Sequence, residues 1–63
     1  LSSRDDGTWE LTGTCGVMIS LPVDALEYRD ANGAWQEAAS ADGDFMIPAP
    51  ALGDGGTILR ARG

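Results

Sequence analysis

The alternation of apolar and polar residues along this chain follows the period of β-strands. Residues 9–14 alternate large or apolar side chains with polar ones, which puts Trp9 and Leu11 on one face of a half-buried strand. Residues 17–21 are β-branched and apolar and predict a more buried strand, which ends at Pro22 because proline has no N–H to donate to a ladder. No segment of the sequence sustains a helical period. The pattern therefore predicts a fold built from strands.

A β-hairpin is predicted in the middle of the chain, with arms at residues 25–29 and 34–39. Its reversal contains Asp30, Asn32 and Gly33. Aspartate favours the first position of a turn, asparagine tolerates left-handed geometry and glycine supplies a positive φ. These residues fit either a two-residue turn or a three-residue turn with a bulge.

The length of this loop decides which way Trp35 points. A two-residue loop places Trp35 on the same face as Leu26 and Tyr28. A bulged three-residue loop places it on the face of Glu27 and Arg29, where the indole stacks on the guanidinium. We favour the bulged loop, because the turn residues fall where a type I turn and a left-handed residue require them.

The second half of the chain contains shorter signals. Residues 38–41 suit a single helical turn, which Gly43 stops. Residues 45–47 predict a short apolar strand, closed by Pro48 and Pro50 in extended geometry. These signals add one more strand to the predicted fold.

The end of the chain predicts a turn and a last strand. Glycine-rich residues 53–56 form the turn, and residues 57–62 form the strand. Five or six short strands at this spacing predict an all-β fold, a small antiparallel β-sandwich or barrel. Residues 1–6 lack periodicity and are expected to form a flexible N-terminal arm, with regular structure starting near Gly7 and a single domain over residues 7–63.

Composition narrows the function. The 63 residues carry a net charge of −6, with ten carboxylates against four arginines and no lysine. Only Arg60 and Arg62 lie close together, so a nucleic-acid partner is not expected. No apolar run approaches the roughly 20 residues of a membrane-spanning helix, and residues 1–6 do not form a signal sequence, so we expect a soluble chain without a membrane partner.

A domain of this size buries a thin core and is often marginally stable alone. One cysteine excludes an internal disulfide, and the absence of histidine weakens a zinc site. Association with other chains is the remaining common source of stability. We therefore expect a homo-oligomer or a subunit of a larger assembly.

Candidate catalytic and metal-binding groups are few. Cys15 has no histidine to activate it and is expected to act as a small apolar filler. Asp42 and Asp44, with Asp54, offer oxygen ligands for calcium, but the pattern lacks the ligand intervals and closing glutamate of a helix-loop-helix calcium loop. The sequence predicts no enzyme and no catalytic, cofactor-binding or metal-binding residue.

Three aromatic residues suggest a second kind of site. Trp9, Tyr28 and Trp35 would form a sugar-stacking platform if they lined up on an exposed sheet face. Core packing is the expected role of Trp9 and Tyr28, because a small domain has few other large side chains to fill its interior.

Three landmarks in order carry a resemblance to a known group of proteins: Thr-Gly-Thr-Cys-Gly at residues 12–16, Asp-Ala-Asn-Gly-Ala-Trp at 30–35 and Ile-Leu-Arg-Ala at 58–61. Their order resembles that in small virion proteins of tailed bacteriophages, over about residues 7 to 62. The chain departs from that group in that Pro22 separates the two strands before the hairpin.

The resemblance implies a non-enzymatic structural component of the virion, as a capsid decoration or cement protein or a tail or fibre accessory. Its partners would be other virion proteins and copies of itself, and no cofactor is implied. Charge and exposure suggest Arg4, Arg29, Trp35, Arg60 and Arg62 as partner contacts. The alternative is a carbohydrate-binding β-sandwich module of a larger extracellular protein, which the sugar-stacking platform would favour.

Overall fold

The structure is a computed structural model that describes residues 1–53 and 55–62. Over these ranges the chain forms eight β-strands and one short 3-10 helix, Ala49–Leu52. The strands are β1 (Ser2–Ser3), β2 (Trp9–Thr12), β3 (Val17–Ser20), β4 (Leu26–Arg29), β5 (Trp35–Glu37), β6 (Ala39–Ala41), β7 (Asp44–Ile47) and β8 (Gly56–Ala61). Asp54 and Gly63, which belong to the predicted domain, lie outside the described residues.

The strands of the described ranges form two antiparallel sheets, which confirms the predicted small all-β fold. One sheet has five strands in the order β1-β2-β8-β4-β5, and the other has three in the order β3-β7-β6. Strand β8 is central in the larger sheet, where its Leu59 pairs with Trp9 on one side and with Tyr28 on the other. There are more strands than predicted, partly because the second hairpin arm divides at Ala38 into β5 and β6.

The core lies between the two sheets and is closed at one side by the 3-10 helix. Its fully buried large side chains come from every layer: Leu26 and Leu59 from the five-stranded sheet, Ile47 from the three-stranded sheet and Leu52 from the 3-10 helix. Trp9 and Tyr28 are partly buried and pack against this cluster, which confirms their expected role.

The central hairpin has the bulged three-residue loop. The Asp30 N–H donates to the Ala34 carbonyl oxygen at 2.8 Å, and the Gly33 N–H donates to the Asp30 carbonyl oxygen at 3.0 Å. Gly33 has φ 83°, the left-handed conformation that glycine adopts without a steric penalty. Trp35 therefore pairs with Arg29, as the bulged loop predicts.

The predicted helical turn at residues 38–41 is wrong. Ala39–Ala41 forms strand β6, and its partner is β7. The cause is the two-residue turn that follows, in which Asp42 and Gly43 have φ values of 53° and 87° and fold the chain directly back. A hairpin thus replaces the helical turn.

Two further predictions are corrected. Pro50 lies in the 3-10 helix rather than in extended geometry, since proline is tolerated in a first helical turn, where its missing N–H has no partner to bond. Cys15 is exposed rather than a buried filler, because it lies in the surface connection between β2 and β3.

Regular structure begins earlier than Gly7. Ser2–Ser3 pairs with β2, with Ser3 opposite Trp9. The intervening turn is closed by the Arg4 N–H, which donates to the Thr8 carbonyl oxygen at 2.9 Å. The predicted N-terminal arm thus contains one strand of a short hairpin.

Candidate functional site

The five-stranded sheet has an inner face against the core and an outer face that turns away from it. Side chains alternate between these faces along each strand. Leu59 and Tyr28 point to the core, so their neighbours on β8 and β4 point outwards. We call this outer surface the Trp35 face, and its central members are Glu27, Arg29, Trp35, Glu37, Arg60 and Arg62.

Trp35 begins the edge strand β5 of this face, and two arginines lie close to its ring. The Arg60 guanidinium carbon is 4.0 Å from the centroid of the indole ring, and that of Arg29 is 5.6 Å away. Both distances fall within the range of cation–π attraction. The indole is half-buried, and it is covered by charged groups rather than by the core.

Two ion pairs lie next to the tryptophan, both on the side away from the hairpin turn. The Arg60 Nε donates to the Glu27 Oε1 at 2.7 Å, across the register pair that joins β8 to β4. Arg62 pairs with Glu37. The Glu27 side chain is only 19% exposed whereas the Glu37 side chain is 56% exposed, so the first pair is better shielded from water. The Arg60–Glu27 pair therefore holds the guanidinium over the indole.

The hairpin turn fixes where Trp35 stands. One carboxylate oxygen of Asp30 accepts the N–H groups of Asn32 and Ala34, each at 2.9 Å, and the other accepts the Gln36 amide at 3.0 Å. The Gln36 hydrogen bond, followed by that of Ala34, lowers the pKa of Asp30 below its usual value. An ionised Asp30 thus bonds residues on both sides of Trp35.

The structure brings together four of the five predicted partner contacts. Arg29, Trp35, Arg60 and Arg62 come from three adjacent strands or their ends and share the Trp35 face. Arg4 lies in the exposed turn between β1 and β2. Within residues 1–53 and 55–62, no ion pair or side-chain hydrogen bond joins Arg4 to the other four.

Glu27 and Glu37 were missed as members of the site. The sequence contains part of the signal for this site. Glu27 and Arg29 are two residues apart on one strand, and so are Arg60 and Arg62 on another, so each pair shares a face. The pairing of β4 with β8 was not available from the sequence, since it joins residues 33 positions apart. The carboxylates could therefore not be matched to their arginines.

The sugar-stacking platform does not form. Trp9 and Tyr28 pack against the core, whereas Trp35 lies on the opposite face of the same sheet. Arg60 also covers one side of the Trp35 ring. A flat sugar ring would thus have neither the row of three aromatics nor a free indole face on that side.

An open groove of about 810 Å³ adjoins the Trp35 face at the end of the sheet that carries the hairpin turn. Its walls include Glu10 of β2, Thr57 and Ile58 of β8, and Arg29. Since Arg29 belongs to both surfaces, the groove extends the Trp35 face along the sheet end.

The described residues form neither a metal-binding cluster nor a membrane-spanning helix. Among the described residues, no three carboxylate or cysteine side chains come close enough to hold a metal ion. Asp54, the third acid of the calcium interpretation, lies outside them. None of the described helical structure is long and apolar enough to cross a membrane.

Comparison with models of known protein families, with curated protein sequences and with solved structures gave no match.

Proposed function

We propose that this chain is a non-enzymatic structural component of a bacteriophage virion, a capsid decoration or cement protein or a tail or fibre accessory. On this proposal it binds other virion proteins through the Trp35 face and also associates with copies of itself. The phage assignment rests on the order of the three sequence landmarks. The binding role rests on one structural observation, which is the position of Trp35 close to two arginines on a sheet face directed away from the core.

This arrangement suits a protein–protein contact. Tryptophan and arginine are the residue types most enriched among those that dominate binding energy at interfaces. Arg60 and Glu27 hold each other at 2.7 Å, so their geometry is largely set before a partner arrives and less side-chain freedom is lost on binding. An acidic partner surface would meet Arg29, which makes no ion pair within the described residues.

The thin core supports an assembly role. The fully buried large side chains of the described residues are Leu26, Ile47, Leu52 and Leu59. Cores of this size give a small free energy of unfolding. A partner that binds the folded state raises that free energy by mass action. A subunit of a particle would gain stability in this way from its neighbours.

The carbohydrate-binding alternative has less support. It required Trp35 and Tyr28 to lie on one exposed face, and they lie on opposite faces of the sheet. A glycan array probed with the purified chain gives the direct comparison. Saturable glycan binding that Trp35→Ala abolishes would favour this alternative over the virion role.

The proposal is tested on particles purified from the cells that produce the chain. Particles are banded by density and analysed by quantitative mass spectrometry. We expect the chain to band with the capsid or tail proteins in a fixed ratio to them. A chain found only in the particle-free fractions would overturn the virion assignment.

The contact surface is tested by adding purified variants back to particles that lack the chain. Trp35→Ala should weaken binding about tenfold or more, the usual loss for a residue that dominates an interface. Met46→Ser is the matched control, because Met46 is exposed on the other sheet. Equal binding by the unchanged chain and Trp35→Ala would exclude the Trp35 face.

A further inference from the structure

Strand β3 is an unprotected sheet edge. In the part of the chain that the structure describes, it pairs with β7 on one side and with no strand on the other. Its sequence, Val-Met-Ile-Ser, contains no charge and no proline. Val17 and Ile19 are half-buried against the core, and Met18 is 48% exposed. Natural proteins usually block such an edge with charge, proline or a bulge, because an open edge pairs with other strands.

The other edges of the two described sheets are less suited to pairing. Strand β1 has two residues and borders the charged turn at Arg4, β5 carries Glu37, and β6 consists of alanine and serine. Among the edge strands of the two described sheets, only β3 combines β-branched apolar side chains with the absence of charge. It is therefore the edge that would gain most from a partner strand.

The hydrogen-bonding groups of β3 follow from the register. The two-residue turn after Ala41 makes Ala41 and Asp44 a hydrogen-bonded pair, and such pairs alternate along antiparallel strands. The backbone groups of Phe45 therefore point towards its β3 partner, Ile19. By the same alternation, the N–H and C=O groups of Met18 and Ser20 point away from the sheet.

We propose that two copies of this chain pair antiparallel through β3, about a two-fold axis at Ile19. Met18 of each copy then pairs with Ser20 of the other, and each such pair exchanges two backbone hydrogen bonds. The two three-stranded sheets become one continuous six-stranded sheet. This inference deepens the proposed function and rests on it for the expectation of self-association, but it uses different residues from the Trp35 face.

Charge favours a second copy as the occupant. A chain of net charge −6 repels its own copies over most of its surface. The stretch from Leu11 to Val23 carries no charged residue and is the longest such run in the sequence. Strand β3 lies inside it, so two copies meet least repulsion there. The pairing also needs no other sequence, because the open groups of Met18 and Ser20 complement each other across the axis.

Packing adds to the hydrogen bonds. Ile19 would face Ile19 of the second copy in a pair without hydrogen bonds, where side chains approach most closely. Val17 and Ile19 are already directed towards the core side of the sheet. Pairing would thus extend the core of each copy across the interface.

Cross-linking tests the register. Two variants are compared, Cys15→Ser/Ile19→Cys and Cys15→Ser/Val17→Cys. In the first, the thiols of two copies face each other at about 4.5 Å between Cα atoms, a spacing that a disulfide tolerates. In the second, they are offset by four residues, about 13 Å along the strand. We expect disulfide-linked dimer to form under mild oxidation about tenfold faster or more in the first variant. Equal rates would exclude this register.

Amide hydrogen exchange tests the pairing in the unchanged chain. The N–H groups of Met18 and Ser20 should exchange slowly at high protein concentration and quickly at low concentration, whereas Ile19, bonded within the sheet, should be protected at both. Met18→Pro should abolish the dimer, because it removes an N–H that bonds the second copy. That N–H points away from β7, so no hydrogen bond within the chain's own sheet is lost. Met18→Thr should retain the dimer. Tryptophan emission verifies that both variants fold.

The outcomes separate this inference from the proposed function. A monomer at all concentrations, with Met18 and Ser20 exchanging freely, overturns β3 pairing. An oligomer that Met18→Pro leaves intact also overturns it, and shows that another surface associates. Neither result alters the particle-binding test of Trp35, which reports on the proposed function alone.

Discussion

The two hairpins at opposite edges of the five-stranded sheet share one turn geometry but direct their tryptophans to opposite sides. In the first, the Gly7 N–H donates to the Arg4 carbonyl oxygen at 3.2 Å, and Gly7 has φ 86°. In the second, Gly33 and Asp30 make the same contact at 3.0 Å, with φ 83° at Gly33. Each turn leads into a strand that starts with tryptophan, yet one tryptophan joins the core and the other lies outside it.

Sheet topology explains the difference. The first turn lies beside the Arg60 end of β8, and the second lies beside its Thr57 end. The strand order is β1-β2-β8-β4-β5. Along this order, β1 precedes β2 just as β4 precedes β5, so the first strand of each hairpin lies on the same side of the second. The two hairpins are thus related by a half-turn about an axis in the sheet plane, which exchanges the faces. Local sequence sets the turn, and the position in the sheet sets the face.

The largest expected effect separates the two tryptophans by stability. Trp9→Ala should lower the free energy of unfolding by about 2–3 kcal/mol, because it removes a large side chain packed against the core. Trp35→Ala should cost about 1 kcal/mol or less, the size of its cation–π contacts. Urea denaturation of both variants measures the difference. Equal losses would contradict the assignment of the two rings to different faces.

The turns themselves should respond alike. Gly7→Ala and Gly33→Ala each force a side chain into the left-handed region, at a cost of about 1–2 kcal/mol. An added Cβ meets no atom within 4 Å at either position, so the loss arises from the backbone alone. Gly53→Ala is the control, since Gly53 has φ −55° and should tolerate alanine. Thermal unfolding of the three variants measures these losses in stability. A much larger loss at one turn would show that the two turns do not share one geometry.

A smaller effect concerns how Trp35 is held outside the core. In a Trp9→Phe background, Arg60→Ala should shift the Trp35 emission to longer wavelength, because the guanidinium over the ring is replaced by water. The free energy of unfolding should fall by about 1 kcal/mol or less, as for partly exposed ion pairs. Arg4→Ala should leave the emission unchanged. A shift of the same size with Arg4→Ala would show that the change in emission does not come from loss of the Arg60–Trp35 contact.

The smallest effect is a shared response to pH. The Thr8 hydroxyl and N–H lower the pKa of Asp6, as Gln36 and Ala34 lower that of Asp30. A lowered pKa in the folded chain means that each turn is stabilised fully above the unfolded pKa of about 3.9, and that this contribution is lost as pH falls through the folded value.

Amide NMR titration of Thr8 and Ala34 should therefore show midpoints below the usual aspartate value at both turns. Asp6→Asn should remove the titration only at Thr8, and Asp30→Asn only at Ala34. A midpoint at or above the usual value would show that the carboxylate does not accept these hydrogen bonds when ionised.

The sequence predicted the features that depend on residues close together along the chain. The bulged turn at Asp30 to Ala34 and the stacking of Arg29 on Trp35 follow from the chemistry of a few adjacent positions, and both are present. The turn at Arg4 was missed although its chemistry is similar. Its incoming strand, Ser2–Ser3, is too short and too polar to show an alternating pattern.

The sequence could not predict what depends on strand order. Arg60 approaches Trp35 more closely than Arg29 does, but only because β8 enters the sheet between β2 and β4. No local signal encodes that choice. The open edge of β3 also depends on strand order: its residues predicted a more buried strand, but in the described part of the chain it has one neighbouring strand, β7. Each residue of the candidate site can thus be read in the sequence, but only the strand order brings these residues together.

The opposite placement of the two hairpin turns makes the chain a natural scaffold for foreign peptides. Both loop tips are exposed, one near Asp5 and the other near Ala31, and they leave the sheet at different ends. An epitope inserted at one tip would not crowd a second epitope at the other.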